Sequence, residues 1–186
     1  EPMELATAQE ILDVGRAHGW YMQTYIHDQL YVPVRNEKTE AYERSCGVRA
    51  EVLGEDFWTL REAPLKVLIY EDDPAVMAEA ERVTIPRFED RAGHVRSSVH
   101  FLEWNKKEAS KGRALTRLCG EWGVPLDRVM TFGNSQNDVS MLELTPWSFA
   151  VANAAPEAMA AARYRTASNN EDGVAKAVAH YVLGEE

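Results

Sequence analysis

The rhythm of apolar and polar positions changes once along this chain. In residues 1–108, short aromatic and β-branched stretches separated by turn residues predict hairpins and an antiparallel, α+β arrangement. Thr7 and Glu10 stand at capping-box spacing ahead of Ile11, Leu12 and Val14, which predicts a helix stopped by Gly19. Residues 20–26 and 30–34 read as strands joined at His27-Asp28-Gln29. Residues 37–46 read as a helix closed by Gly47, and 65–70 as a strand. Pro74 opens a helix through Arg82, and 95–104 reads as one last strand of this half.

From residue 110 the pattern alternates strand and helix at short intervals. Residues 110–122 read as a helix with Gly123 behind it, and 129–132 as a buried strand. A polar loop follows, then a helix from Asp138 and a strand at 149–151. Pro156 starts a helix through 162, residues 164–166 form a short strand, and Gly173 precedes a helix to 183. Such alternation predicts a parallel sheet covered by helices. The boundary falls at 105–109, in the polar run Asn105-Lys106-Lys107-Glu108, and divides the chain into 1–108 and 109–186.

Composition narrows the function classes. With 45% apolar and 27% charged residues, the chain has the makings of real cores. Twenty Lys and Arg stand against 30 Asp and Glu, a net charge of −10. That balance argues against a general nucleic-acid or anionic-membrane surface, so an anionic substrate needs a local positive pocket or a metal ion. No apolar run approaches the ~20 residues of a membrane span, and the expected address is the cytoplasm. Cys46 and Cys119, the only cysteines, are too far apart to build a metal cluster or disulfide framework and are expected to be small buried or half-buried residues. The first residues are Glu1-Pro2 rather than Met, which fits a processed product, an expressed portion or a fragment of a longer protein.

The candidate chemistry lies in the second half. FGNSQNDVSML (132–142) ends an apolar strand in glycine and then presents five polar residues. Lys111-Gly112 opens a helix before it; Asn153-Ala154 and the segment 168–174 follow the next two strands. Loops after parallel strands share one sheet edge, so these groups can converge. A lysine beside oxygen ligands suits phosphoryl chemistry, because charge builds on the equatorial oxygens in transfer. Mg²⁺ in turn takes hard oxygens, one or two of them from carboxylates.

Together, SKGRAL (110–115), FGNSQNDVSML (132–142), VANAAPEAMAAA (151–162) and SNNEDGVAKAV (168–178) resemble the haloacid dehalogenase superfamily, in its Cof-type phosphatase branch. The resemblance implies an α/β fold: the carboxyl-terminal part of a Rossmann-like core over 109–186, with residues 1–108 similar to an α+β cap of the C2 type. It also implies a Mg²⁺-dependent phosphatase of small phosphorylated metabolites such as sugar phosphates, working through an aspartyl-phosphate. Lys111 would steady the nucleophile and the transferred phosphoryl group. Asn134 and Asp138 occupy the two acidic positions of the family's Gly-Asp-x-x-x-Asp metal motif, and Asn137 would hydrogen-bond in the phosphate loop. Asn153 and Asn169 would brace neighbouring loops.

Two departures qualify this. Asn134 replaces a carboxylate with an amide, which weakens the expected metal binding. The family's Asp-x-Asp nucleophile is also absent from the sequence. Glu71-Asp72-Asp73 follows a strand, but it precedes Pro74 and reads as the start of a capped helix. The chain is therefore expected to be inactive alone, with exposed sheet edges that favour association. A degenerate relative that binds a phosphometabolite or a protein without catalysis is the second reading. A nucleotide-binding oxidoreductase has no GxGxxG or P-loop to support it.

Other residues read as structural. His27, His94 and His100 share no ligand spacing, and Trp20, Tyr21, Tyr25 and Tyr31 read as sheet packing. Arg96 reads as a solvated strand arginine.

Overall fold

The computed structural model describes residues 1–184 and divides into two compact units, Glu1–Ala109 and a second from Ser110 onward. Each is built around its own sheet.

The first unit holds a six-stranded sheet in the order β3-β2-β1-β4-β6-β5. Its strands are β1 (Met22–Ile26), β2 (Gln29–Val32), β3 (Ala50–Val52), β4 (Lys66–Tyr70), β5 (Ala92–Ser98) and β6 (Phe101–Lys106). All neighbours are antiparallel except β2 and β3. The helices are α1 (Leu5–His18), α2 (Glu37–Cys46) and α3 (Pro74–Phe88). Central β4 is apolar at nearly every position because both of its faces are covered. Val67 and Ile69 join the cluster with Ile11, Leu12, Met77 and Phe88 from α1 and α3, while Leu68 and Tyr70 join Tyr42 of α2. Successive strand residues point to opposite faces, so one apolar run serves two cores.

Several boundaries differ from the sequence reading, each for a packing reason. Helix α1 begins at Leu5, so Thr7 and Glu10 lie inside it rather than forming a capping box. Buried Met3, whose N–H donates to the Pro64 carbonyl, ties the chain down earlier than the local pattern suggests. Helix α3 runs past Arg82 to Phe88, with Pro86 inside it. Burying Phe88 completely outweighs the backbone bond that proline removes. Residues 95–104 are two strands, not one, and His100 sits in the turn between them. Arg96 holds that turn: Nε donates to the Ser98 carbonyl and Nη2 to the Val99 carbonyl, while Nη1 pairs with Glu81 at 2.8 Å. Cys119 is buried as expected, whereas Cys46 is exposed.

The Glu71-Asp72-Asp73 stretch is occupied with structure. Asp73 caps α3 by accepting the Ala75 N–H at 2.8 Å. Glu71 accepts the Tyr21 N–H at 2.8 Å and pairs with Lys38 at 2.6 Å.

The second unit is a three-stranded parallel sheet, β7-β8-β9: Met130–Gly133, Trp147–Val151 and Tyr164–Thr166. Its helices are α4 (Lys111–Trp122), α5 (Val139–Leu142), α6 (Pro156–Ala161) and α7 (Gly173–Val178). Phe132, Phe149 and Tyr164 stand in register and stack at 5.1 Å between ring centres. Thr131 and Thr145 satisfy each other in the interior at 2.8 Å. Because the strands run parallel, the loops at 134–138, 152–155 and 167–172 all leave from one edge of the sheet.

Candidate active site

The site is built from the loop after β7 and the first turn of α4. Gly133 ends the strand, and a single 3₁₀ turn over Gln136–Asp138 leads into α5. That turn folds Asp138 back beneath the loop. A Cβ on Gly133 would lie 2.6 Å from the Asp138 Cβ, so glycine is what allows the carboxylate to pack there.

Asp138 is buried. Its Oδ2 accepts two backbone N–H groups, from Asn134 at 2.8 Å and Ser135 at 3.1 Å. Its Oδ1 accepts a close hydrogen bond from the Lys111 ammonium. Burial pushes the Asp138 pKa upward, but the lysine and the two N–H groups together outweigh burial. The net result is a pKa held below the ordinary carboxylate value. The carboxylate is therefore ionised, and its three hydrogen bonds fix it in place.

Lys111 reaches this position because α4 begins there. Ser110 is the N-cap, its Oγ accepting the Arg113 N–H at 3.1 Å. The Gly112 N–H donates to Ser140 Oγ on α5 at 3.1 Å. Sequence reasoning passed over Ser140; its place two residues beyond Asp138 on the same turn was the available signal.

The remaining candidates spread along the same edge. The exposed Asn134 accepts the Ala155 N–H on its backbone carbonyl at 2.8 Å, joining the β7 and β8 loops. Its side chain makes no hydrogen bond among the described residues. Half-buried Asn137 accepts the Ser135 hydroxyl at 2.6 Å. Asn153 Nδ2 donates to Asn169 Oδ1 at 2.7 Å, and the Asn169 N–H returns to Asn153 Oδ1 at 3.3 Å. These two asparagines thus link the β8 and β9 loops to each other. Lys111 and Asp138 are brought together; Asn153 and Asn169 form a separate clasp along the edge.

The donor set fits Mg²⁺ only in part. The Asn134 amide oxygen is open, but both Asp138 oxygens are already engaged. No group of three or more His, Cys, Asp or Glu residues suited to a metal occurs among the described residues. Further oxygens would have to come from water and from outside this chain.

The fold and this edge define an α/β protein with an ion-paired lysine at the carboxyl ends of parallel strands. A family model described as haloacid dehalogenase-like hydrolase matches residues 1–178, and the chain belongs to that family. It is similar to M6_Spy0533 of Streptococcus pyogenes serotype M6, 27% identical over 183 residues, covering 97% of this chain and 68% of that protein. It is also similar to 5-amino-6-(5-phospho-D-ribitylamino)uracil phosphatase YcsE of Bacillus subtilis. That match is 37% identical over 87 residues, 47% of this chain and 35% of the enzyme. The crystal structure of TM0651 from Thermotoga maritima superposes with a TM-score of 0.82 at 26% identity, over 97% of this chain and 67% of that one. The chain thus spans about two thirds of the TM0651 length and a third of YcsE.

Proposed function

We propose that this chain forms the cap and carboxyl-terminal core of a phosphatase that hydrolyses small phosphorylated metabolites. The observation that carries the reading is the Lys111–Asp138 pair at the carboxyl edge of the parallel sheet, in a chain of this family. YcsE, named for a phosphorylated ribityl compound, supports a metabolite substrate. The net charge of −10 favours a partner other than nucleic acid or an anionic membrane surface. A cytoplasmic address is part of the same reading.

In this proposal Lys111 carries a fixed positive charge to the oxygens of the transferring phosphoryl group and neutralises the charge that develops on them. Asp138 holds the ammonium in place and aimed. The loop N–H groups of Asn134 and Ser135, held by Asp138, fix the backbone on which Asn134 and Asn137 present their amides. Mg²⁺, held through Asn134 and oxygens from outside these residues, would add charge neutralisation. An aspartate nucleophile must also come from outside them, since no Asp-x-Asp occurs here.

The test is hydrolysis of p-nitrophenyl phosphate and a panel of sugar phosphates, with and without Mg²⁺. It should be run on the 186-residue chain and on any longer in-frame product of its coding sequence. The proposal expects Mg²⁺-dependent turnover in a product carrying an Asp-x-Asp, a loss of about a hundredfold on Lys111→Ala, and none from the 186 residues alone. A product with that motif and no turnover on any substrate would sink it. The amide at Asn134 favours the second reading in that case, a non-catalytic binder of phosphometabolites, detectable by calorimetry.

A further inference from the structure

Two rungs join the first turn of α4 to the turn after β7. One is the Lys111–Asp138 ion pair. The other lies beside it, from the Gly112 N–H to Ser140 Oγ at 3.1 Å. Gly112 follows Lys111 directly, and Ser140 stands two residues beyond Asp138, so the second rung ties the backbone next to the lysine to a side chain close in sequence to the carboxylate.

The Gly112 amide needs that hydroxyl. The first four N–H groups of an α-helix have no carbonyl one turn back to receive them. Ser110, the N-cap, takes the Arg113 N–H instead. Gly112 is buried, and a buried N–H without an acceptor is destabilising. Glycine also lets the two backbones touch: a Cβ at 112 would lie 2.3 Å from the Ser140 carbonyl oxygen and 2.7 Å from its carbon. At that separation α4 cannot slide along α5 without breaking the bond, so the clasp sets where the lysine begins its reach.

We propose that Ser140 is a positioning residue for Lys111, acting through the Gly112 amide. The clasp holds the α4 first turn in register with Asp138, and the ammonium meets the carboxylate because of it. The consequence for catalysis rests on the phosphatase reading above; the positioning itself does not.

The experiment is NMR on the ¹⁵N,¹³C-labelled 186-residue chain, observing the Lys111 ammonium and its coupling across the hydrogen bond to the Asp138 carboxyl carbon. The wild-type chain is expected to show that coupling, and its absence there overturns the proposal. Ser140→Ala is expected to lose it, and Ser140→Thr, which keeps an acceptor at the same position, to restore it. A folded Ser140→Ala chain with wild-type coupling overturns the proposal. Where Ser140→Ala does not fold, the wild-type Gly112 amide decides. Exchange slowed at least about tenfold against an open amide supports the clasp, and unprotected exchange overturns it. In a catalytically competent product, Ser140→Ala should lower kcat about tenfold with KM little changed. Intact coupling with no phosphatase activity in the wild type would overturn the phosphatase reading and leave the positioning standing.

Discussion

Lys111 and Asp138 form an uneven pair: the carboxylate side chain is 4% exposed and the lysine side chain 50%. The anion is the anchor, held by two backbone N–H groups, and the cation is the part left facing solvent. A lysine bound from one side in this way keeps donors for a second anion.

Acid stability should report this anchor. The folded pKa of Asp138 lies below its unfolded value. Its contribution is therefore fully present above that unfolded value and is lost as pH falls through the lower, folded one. We predict that Asp138→Asn lowers stability at pH 7 by about 2 kcal/mol and flattens the acid limb of the stability curve. Urea midpoints measured from pH 7 to pH 2 check this; an acid limb identical to wild type would contradict it.

Two glycines should respond in opposite directions to alanine. At Gly133 the new Cβ meets the Asp138 side chain at 2.6 Å, so Gly133→Ala is expected to cost about 1–3 kcal/mol. At Gly120, inside α4, nothing lies within 4 Å of the new methyl group. Gly120→Ala should stabilise by about 0.5–1 kcal/mol through helix propensity. Thermal midpoints of the two single variants decide both.

The hairpin between β1 and β2 turns on His27 and Asp28, both at positive φ (48° and 64°). Two-residue turns of this kind favour Asn-Gly. We expect the double replacement His27→Asn, Asp28→Gly to raise stability by about 1 kcal/mol, because the exposed His27–Glu62 pair that it removes contributes little. A lowered thermal midpoint would show that the turn is held by that pair instead.

The second unit leaves apolar surface uncovered. Trp122 is 70% exposed, Leu118 and Val124 near it are also exposed, and among the described residues β7 has a strand neighbour on one side only. Such a surface and edge promote association. Sedimentation velocity should show concentration-dependent self-association of the 186-residue chain, and Trp122→Gln should weaken it. A monomer at every concentration for the unaltered chain would refute the prediction.

The helix ends at Gly19, Gly47 and Gly123 were legible because each needs a left-handed backbone that glycine adopts without strain. Met77, Ala80, Thr84 and Phe88 share one buried face of α3, whereas the sequence pattern carried this helix only to Arg82. The short strand Ala50–Val52 gave no apolar signal, since its residues are largely exposed and it exists only by pairing with β2. In the candidate site, residue types and loop order pointed to Lys111 and Asp138. They could not show that both carboxylate oxygens are spent on the lysine and the loop, nor that Ser140 receives the Gly112 amide.

By itself, the sequence determined the alternation of elements, the division near residue 109, the glycine stops and the set of polar residues at one sheet edge. These depend on local backbone preference and on apolar periodicity, which act over a few residues. Tertiary structure alone decided the hairpin within 95–104, the continuation of α3 through Pro86, the Asn153–Asn169 clasp and the pairing of Lys111 with a buried Asp138. Each of these turns on burial or on hydrogen bonds between elements, which exist only once the helices are packed on the sheets.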